Sequence, residues 1–569
     1  MPGSLLSLRP RVAWAPGALF LLTSVVCLPG WLITNDFDRN AAPQFVTLAI
    51  SAVILGLLFI SWRSRAALPI AVHGGVYALL ITSSISLVTG HNLINGLTGD
   101  TGRYTGLVSL FALLAIALFF SQLNESQFAQ FYPWLIAAFL IVDVLGIIQA
   151  LGWITMPGDG GVGSTLGNLD FLSAWVGTSF PLFFWRRIKS RSHALVIGLI
   201  FALSLWLMIK IGAKQGLLDF IILIPVILIY LGRHRLKGLG LSTAVWTGIG
   251  TFVTILWAEA IYLVPMAKLP VPGIAGDPNV RIRTDFWFSG FGQFAHHILF
   301  GVGPDNYGNY YERYRSLSSV KLTESVLAND AHSSVVQTFA TLGLASVLAF
   351  IVLLILYIRS LVVLINDDQR RWHGAVLAVF SLVYFTNSAI SPITLPNKFL
   401  FWAVAGYVIG SAQRIRPLRV WTSEVATRAV VGVMAAVILF VTANFAWADY
   451  RFIYSGKGYS PSPYLPCTLY FSQELAKSTS DPTVALREAG AEAKNNPRCI
   501  EAQFLLANVN LKQNNLVAAK RPIYELLDIA PARHEVVRLA AIYALRAKDM
   551  YLQNLLIAQG LKLGVLTQS

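Results

Sequence analysis

The residue types best suited to chemistry are gathered in one polar interruption of an otherwise apolar chain. Between Pro265 and Leu342 the sequence reads VRIRTDFWFSGFGQFAHHILFGVGPDNYGNYYERYR and then NDAHSSVVQTFATLGLAS. Arg281 and Arg283 open this stretch. Arginine stays charged and offers a planar fork of donors matched to phosphate or carboxylate oxygens. The spacing of RIRTDFWFSGFGQF predicts a short amphipathic helix, with Phe286, Trp287 and Phe294 along a membrane interface and Arg283 sharing a face with Trp287. The competing reading of either arginine alone is a side chain snorkelling to lipid headgroups. His332 stands at the mouth of a helix expected from about Ser333. An imidazole that titrates near neutrality is suited to general-base work there. A helix N-terminus beside it favours the neutral form or a bound anion. Alternatively His332 caps that helix or bonds a loop carbonyl. Asp305, Glu324 and Asp330 are alternative bases in the same stretch.

Further polar groups stand at the ends of apolar segments: Arg103 in GRYTGL, Asn168 in STLGNLDFLSAW, and Lys210 and Lys214 in KIGAKQGLLDF. Together these ends would form a cationic pocket; singly, each reads as well as a topology or interface residue. GVGPDNYGNYYERY has the glycines of a phosphate loop but neither its Lys-Ser/Thr pair nor a strand–loop–helix setting, which argues against a nucleotide site. Its glycines suit a tight turn. His296 and His297 are adjacent, which is not ligand spacing, so neither a metal nor another cofactor is expected.

These residues must be positioned by helices in a membrane. Hydrophobic residues make up 55% of the chain, charged ones 12%, and mean hydropathy is +0.62, too few charges to cover a soluble protein of this size. Apolar runs predict thirteen spans, at 17–34, 44–62, 67–89, 104–120, 131–151, 168–186, 194–210, 215–232, 240–263, 333–358, 373–392, 397–412 and 427–446. The runs at 104–120 and 397–412 are short. Lipid leaves backbone groups no water to bond, so the expected fold is all-α, a polytopic helical bundle. The first segment is followed by many others and is expected to be retained, not cleaved as a signal peptide. The net charge of +15 follows topology: with Arg9 and Arg11 inside, Arg63, Arg65, Arg186, Arg187, Arg233, Arg235, Arg370, Arg371, Arg414 and Arg416 fall on the same side. Nucleic acid is therefore not an expected partner. On this scheme the loop 264–332 and everything after Trp447 face outward.

After residues 1–446, a linker at 447–481 leads to a mixed-charge helical region at 482–569. IEAQFLLANVNLKQNNLVAAKRPIYELLDIAPAR, Ile500 to Arg533, resembles a tetratricopeptide repeat, with Leu506, Ala507, Ala519 and Pro531 at the expected positions and Asn510 in place of an aromatic. A partial unit follows from His534, and a helix pair around 482–497 precedes. So few units are expected to lean on the membrane domain. A helical cap and a platform for a protein partner are both open readings. Cys467 and Cys499 share the outward side, where they are able to pair, while Cys27 lies in the first span.

From Gly96 to Asn397 the chain resembles the O-antigen ligase and polymerase superfamily, which includes related bacterial O-oligosaccharyltransferases. The resemblance rests on GRYTGL, LGNLDFLSAW, the pair Arg283 and Trp287 followed by GVGPDNY, and His332 ahead of TLGLAS. It implies a glycosyltransferase of the bacterial inner membrane that moves a glycan from undecaprenyl diphosphate to an acceptor hydroxyl on the periplasmic face, without a metal. His332 would be the base, and Arg283 and Arg103 would hold the diphosphate, with Arg281 competing for the arginine role. Asn168 and Lys214 complete the expected substrate-binding set. The chain departs from the family pattern at Ala213-Lys214, where a Ser-Arg pair is usual, and at Ser333, where asparagine is common. The acceptor, whether lipid A-core, glycan or protein, is left open. A lipid-linked glycan transporter is the alternative class.

Overall fold

The computed structural model describes residues 14–27, 39–61, 68–90, 92–158, 161–186, 190–213, 215–217, 219–220, 278–316, 319–320, 328–419, 424–454 and 481–563. Among these residues the regular structure is helical, with no strand. Seven helices are long and apolar enough to cross a membrane: Ala41–Ser61, Ile70–Thr89, Glu125–Ala150, Arg191–Lys210, Ser334–Asn366, Arg371–Ile390 and Val425–Tyr450. Each coincides with an expected span. The spans expected at 215–232 and 240–263 lie almost wholly outside the described residues. Ala15–Val25 and Leu107–Phe120 are apolar helices too short to count with the seven. The segment expected at 168–186 is a helix, Leu169–Ser179, that tightens into the 3-10 turn Phe180–Trp185 as Pro181 enters the chain. Proline lacks the N–H that continues a helix.

The chain divides into two compact units. The first comprises Met1–Ala78, Ser109–Leu263 and Ala349–Phe440; the second comprises Leu79–Val108, Val264–Leu348 and Val441–Ser569.

In the first unit the helix Leu395–Ile415 is mostly buried. A Cβ at Gly406 or Gly410 would run into the backbone of Ala117 or Ser121, so this Gly-x-x-x-Gly face lets two helices meet at backbone contact. This helix covers the run expected at 397–412 but is not among the seven apolar enough to count as a span. Arg414 closes the same junction, donating to the carbonyls of Ser121, Gln122 and Leu123 at 2.9–3.0 Å. Those carbonyls lie just past a helix C-terminus, where a cation is favoured.

Ser334–Asn366, whose first part belongs to the second unit, is not one continuous helix. Gly343 has φ 69° and ψ 179°, a conformation open to glycine, and breaks it. The break uncovers the carbonyls of Ala340 and Thr341, which accept from the N–H groups of Val302 and Gly303 at 3.0 Å. GVG and TLG are therefore two halves of one junction, and the span expected at 333–358 starts as a short separate helix. The C-terminal helices Pro482–Asn495, Ile500–Lys512, Leu516–Ile529, His534–Ala547 and Met550–Leu563 pack each on the next. The last four share a core that runs from Ala507 through Leu526, Ile529 and Val536 to Tyr543 and takes in Val320 from the polar stretch, while Ala489 of the first packs with Cys499 and Ala502. Cys499 is disulfide-bonded and Cys27 is free, while Cys467 lies outside the described residues.

Candidate active site

Three segments of the second unit meet around Asp305. Its buried carboxylate accepts from the N–H groups of Asp100 and Thr105 at 2.9 and 3.0 Å through Oδ2. Through Oδ1 it accepts from Thr105 Oγ1 at 2.8 Å and from Gln337 Nε2 at 3.3 Å. The first three bonds fold the loop that carries Arg103. The fourth leads to His332, because Gln337 Oε1 accepts from Ala331 N–H at 3.0 Å. Asn329 closes the ring, donating to Thr101 O at 2.9 Å. Asp305 is thus engaged as a structural acceptor, which argues against its role as an alternative base. Gln337 is a lone amide in an apolar helix five residues after His332, a signal that residue type alone does not mark as part of the site. Glu324 lies outside the described residues.

His332 is half-buried, with its ring 4.9 Å from that of Phe286. Its backbone N–H donates to Asp330 Oδ1 at 2.6 Å, and Nδ1 lies 3.1 Å from Asp330 O. A carbonyl only accepts, so this contact requires the proton on Nδ1 and leaves the lone pair on Nε2. Burial draws the imidazole pKa down to about 4; Asp330 opposes the shift, while Arg103 and Arg283 add to it. The ring is therefore neutral at neutral pH. Both guanidinium charges are felt at His332, so the structure brings the three residues into one electrostatic neighbourhood.

His332, Asp305 and Tyr104 all have φ near +50°. Left-handed backbone at a non-glycine residue is uncommon and is held only where surrounding bonds over-determine it. Here the Asp305 and Asp330 bonds do so. Asp100, beside Arg103, has its carboxyl pushed well above the usual range by burial and by the charge of Asp305.

Arg283 is positioned by the helix Pro278–His296, whose packing differs from the expected interfacial arrangement. Phe286 and Trp287 are buried, while Phe288 and Phe291 are exposed. The inward face is set by the next helix, Tyr307–Tyr314: Tyr307 Oη donates to Phe286 O at 2.6 Å, and Ser289 Oγ to Tyr311 O at 3.0 Å. Gln293 Nε2 adds a bond to Tyr307 O at 3.2 Å. Arg281 is on the same helix, two residues earlier, its side chain outside the described set. His296 bonds Gly292 O at 2.8 Å. Asn168 belongs to the first unit, where its side chain caps the helix Leu169–Ser179 by accepting from Asp170 N–H at 2.7 Å. Lys214 lies outside the described residues. Next to it, Gln215 and the fully buried Asp219 are tied to Asn387, which donates to Asp219 Oδ2 at 2.9 Å.

Residues 188–351 match the family model described as O-antigen ligase. This stretch of the chain is similar to the O-antigen ligase family. The matched O-antigen ligase stretch contains Arg283, Asp305, Asp330, His332 and Gln337, whereas Arg103, Asn168 and the C-terminal helices lie outside it. No curated protein matches the chain.

Proposed function

We propose that this membrane enzyme transfers a glycan from undecaprenyl diphosphate to an acceptor hydroxyl on the periplasmic face of the bacterial inner membrane. The observation that carries the reading is the neutral His332, its Nδ1 committed to Asp330 O and its Nε2 available, between the charges of Arg103 and Arg283. Nε2 takes the acceptor proton as the acceptor oxygen attacks the anomeric carbon. The bond from that carbon to the diphosphate oxygen breaks, and its electron pair leaves on undecaprenyl diphosphate. Arg103 and Arg283 meet the charge that grows on the leaving group, with Arg281 and Lys214 as further cations. The imidazolium then returns its proton to the departing diphosphate or to water. A direct displacement of this kind inverts the anomeric centre.

The O-antigen ligase match supports the donor class. The acceptor is a lipid A-core, a glycan chain or a protein hydroxyl. In this reading the N-terminus is cytoplasmic, and the C-terminal helices are a tetratricopeptide-like domain on the periplasmic side, where the disulfide at Cys499 is at home.

The test is transfer by purified protein in liposomes supplied with undecaprenyl-diphosphate glycan and each acceptor class, without added metal or nucleotide. His332→Ala is expected to abolish transfer and retain donor binding. Transfer at the wild-type rate in that variant removes the base assignment. Donor that is bound and flipped but never transferred would favour the transporter.

A further inference from the structure

One arginine of the C-terminal region makes several directed contacts with the helix Tyr307–Tyr314. Arg498 precedes the helix Ile500–Lys512, and its side chain is 13% exposed. Nε donates to Asn309 O at 3.0 Å, Nη1 to Asp528 Oδ2 at 3.1 Å, and the guanidinium sits 4.1 Å from the Tyr310 ring centroid. Asp528, on the helix Leu516–Ile529, pairs in turn with Arg313. Asn309, Tyr310 and Arg313 all belong to the helix Tyr307–Tyr314, so both of its turns are gripped from the C-terminal side. Asn309 Nδ2 donates to Asn306 Oδ1 at 3.1 Å, and the fully buried Asn306 is the residue after Asp305. Tyr307, at the start of the helix, holds the backbone of the Arg283 helix at Phe286. Near this junction the charge of Glu501 is felt at Asp100 in the Arg103 loop.

We propose that Arg498 is a positioning residue of the transfer site. Through it the C-terminal domain sets the seating of the helix Tyr307–Tyr314, and so of Asp305, Arg103 and His332. The proposal rests on the transfer reading above and goes beyond it: no part of the matched O-antigen ligase stretch contains Arg498. Arginine suits the role because one planar group makes two directed bonds and stacks on a ring, which a lysine ammonium does not reproduce. Arg498 lies outside the set that would touch donor or acceptor, so its loss should act on turnover more than on donor affinity.

The experiment pairs steady-state transfer with hydrogen exchange on full-length protein in liposomes, for wild type, Arg498→Ala and Arg498→Lys. Arg498→Ala is expected to lower kcat on the order of tenfold, short of the hundredfold that a 1 Å misplacement costs, with a smaller change in donor KM. Exchange should rise at residues 99–106 and 329–333 while the core of the C-terminal helices stays protected. Arg498→Lys keeps the charge and the apolar stem, guards against a folding defect, and should recover only part of the loss. Unchanged exchange at 99–106, or a rise confined to the C-terminal helices, overturns the proposal whatever the turnover. So does unchanged kcat in Arg498→Ala when wild type transfers. If wild type transfers nothing, the transfer reading falls by itself, and the exchange data still decide whether Arg498 sets these segments.

Discussion

Around Asp305 in the second unit, charged groups surround a half-buried imidazole, and three non-glycine residues hold left-handed backbone. Around Asp219 in the first unit, the carboxylate is fully buried, lies against Gly177, and is bonded by Asn387, which also reaches Thr178 at 3.4 Å. Both centres are carboxylates that gather polar partners from distant parts of the chain. They differ in what is left over. At Asp305 the bonds hold the loop that carries Arg103 and, through Gln337, the turn that carries His332. At Asp219 the bonds join elements to one another within the apolar bundle, as side-chain hydrogen bonds between membrane helices do. On the proposed function, the contrast separates a centre that would aim groups at a ligand from one that holds helices in register.

The largest expected effect that would break this contrast is at Asp305 itself. Asp305→Ala should lower transfer by at least about a hundredfold, since the Arg103 loop and the His332 turn lose their common acceptor and drift. Asp305→Asn should do little better. Its amide retains one oxygen, while both carboxylate oxygens now accept from N–H or O–H donors. Near-normal transfer in Asp305→Asn would show that the loops are held by other contacts.

Next in size are the arginines. Loss of one preorganised contact to developing charge costs about 3 kcal/mol, or on the order of a hundredfold in rate. Arg283→Ala and Arg103→Ala should each fall in that range and weaken donor binding. Arg283→Lys should recover little, because the fork is lost. Full recovery by lysine would mean that only net charge matters at that position.

The features legible in the sequence were those that composition and residue type express directly. Apolar runs located the seven long helices, the isolated polar stretch singled out His332 and Arg283, and the end of an apolar segment singled out Arg103; the charges of both arginines are felt at His332. What periodicity could not express is the identity of the covering surface. Phe286 and Trp287 were expected at the membrane interface, yet they turn inward because Tyr307 and Tyr311 supply a partner face, leaving Phe288 and Phe291 outside. The break at Gly343 was hidden for a related reason. A glycine in an apolar run reads as helix until the N–H groups of Val302 and Gly303 are known to meet the freed carbonyls. Asp305 was legible as an acid near the site, but its use as a loop acceptor depends on Thr105 and Gln337, distant in sequence.

A smaller effect would sharpen the Asp219 side of the comparison. Asp219→Asn should leave transfer within a few-fold of wild type and lower thermal stability modestly. Interhelical side-chain hydrogen bonds in membranes are worth about 0.6–1.7 kcal/mol each, and an amide can still accept from Asn387. A loss of transfer as deep as that of Arg283→Ala, with unchanged melting, would move Asp219 into the reacting centre and erase the distinction.

The smallest expected effect is a displacement of one limb of a pH profile. In the free enzyme His332 is held near pKa 4 by burial, with Arg103 and Arg283 pushing in the same direction. Protonation removes the base, so kcat/KM should stay level from neutral pH downward and fail only near that value. A bound diphosphate would place negative charge beside the same arginines and cancel part of their push. The imidazolium is then less disfavoured, and the acid limb of kcat, which reports the donor complex, should lie at higher pH than that of kcat/KM. Arg283→Ala should raise the kcat/KM limb toward the kcat limb, because it removes one depressing charge from the free enzyme. Coincident limbs in wild type, unmoved by Arg283→Ala, would mean that the arginines and the imidazole do not share a ligand, and the Asp305 centre would lose the property that sets it apart from Asp219.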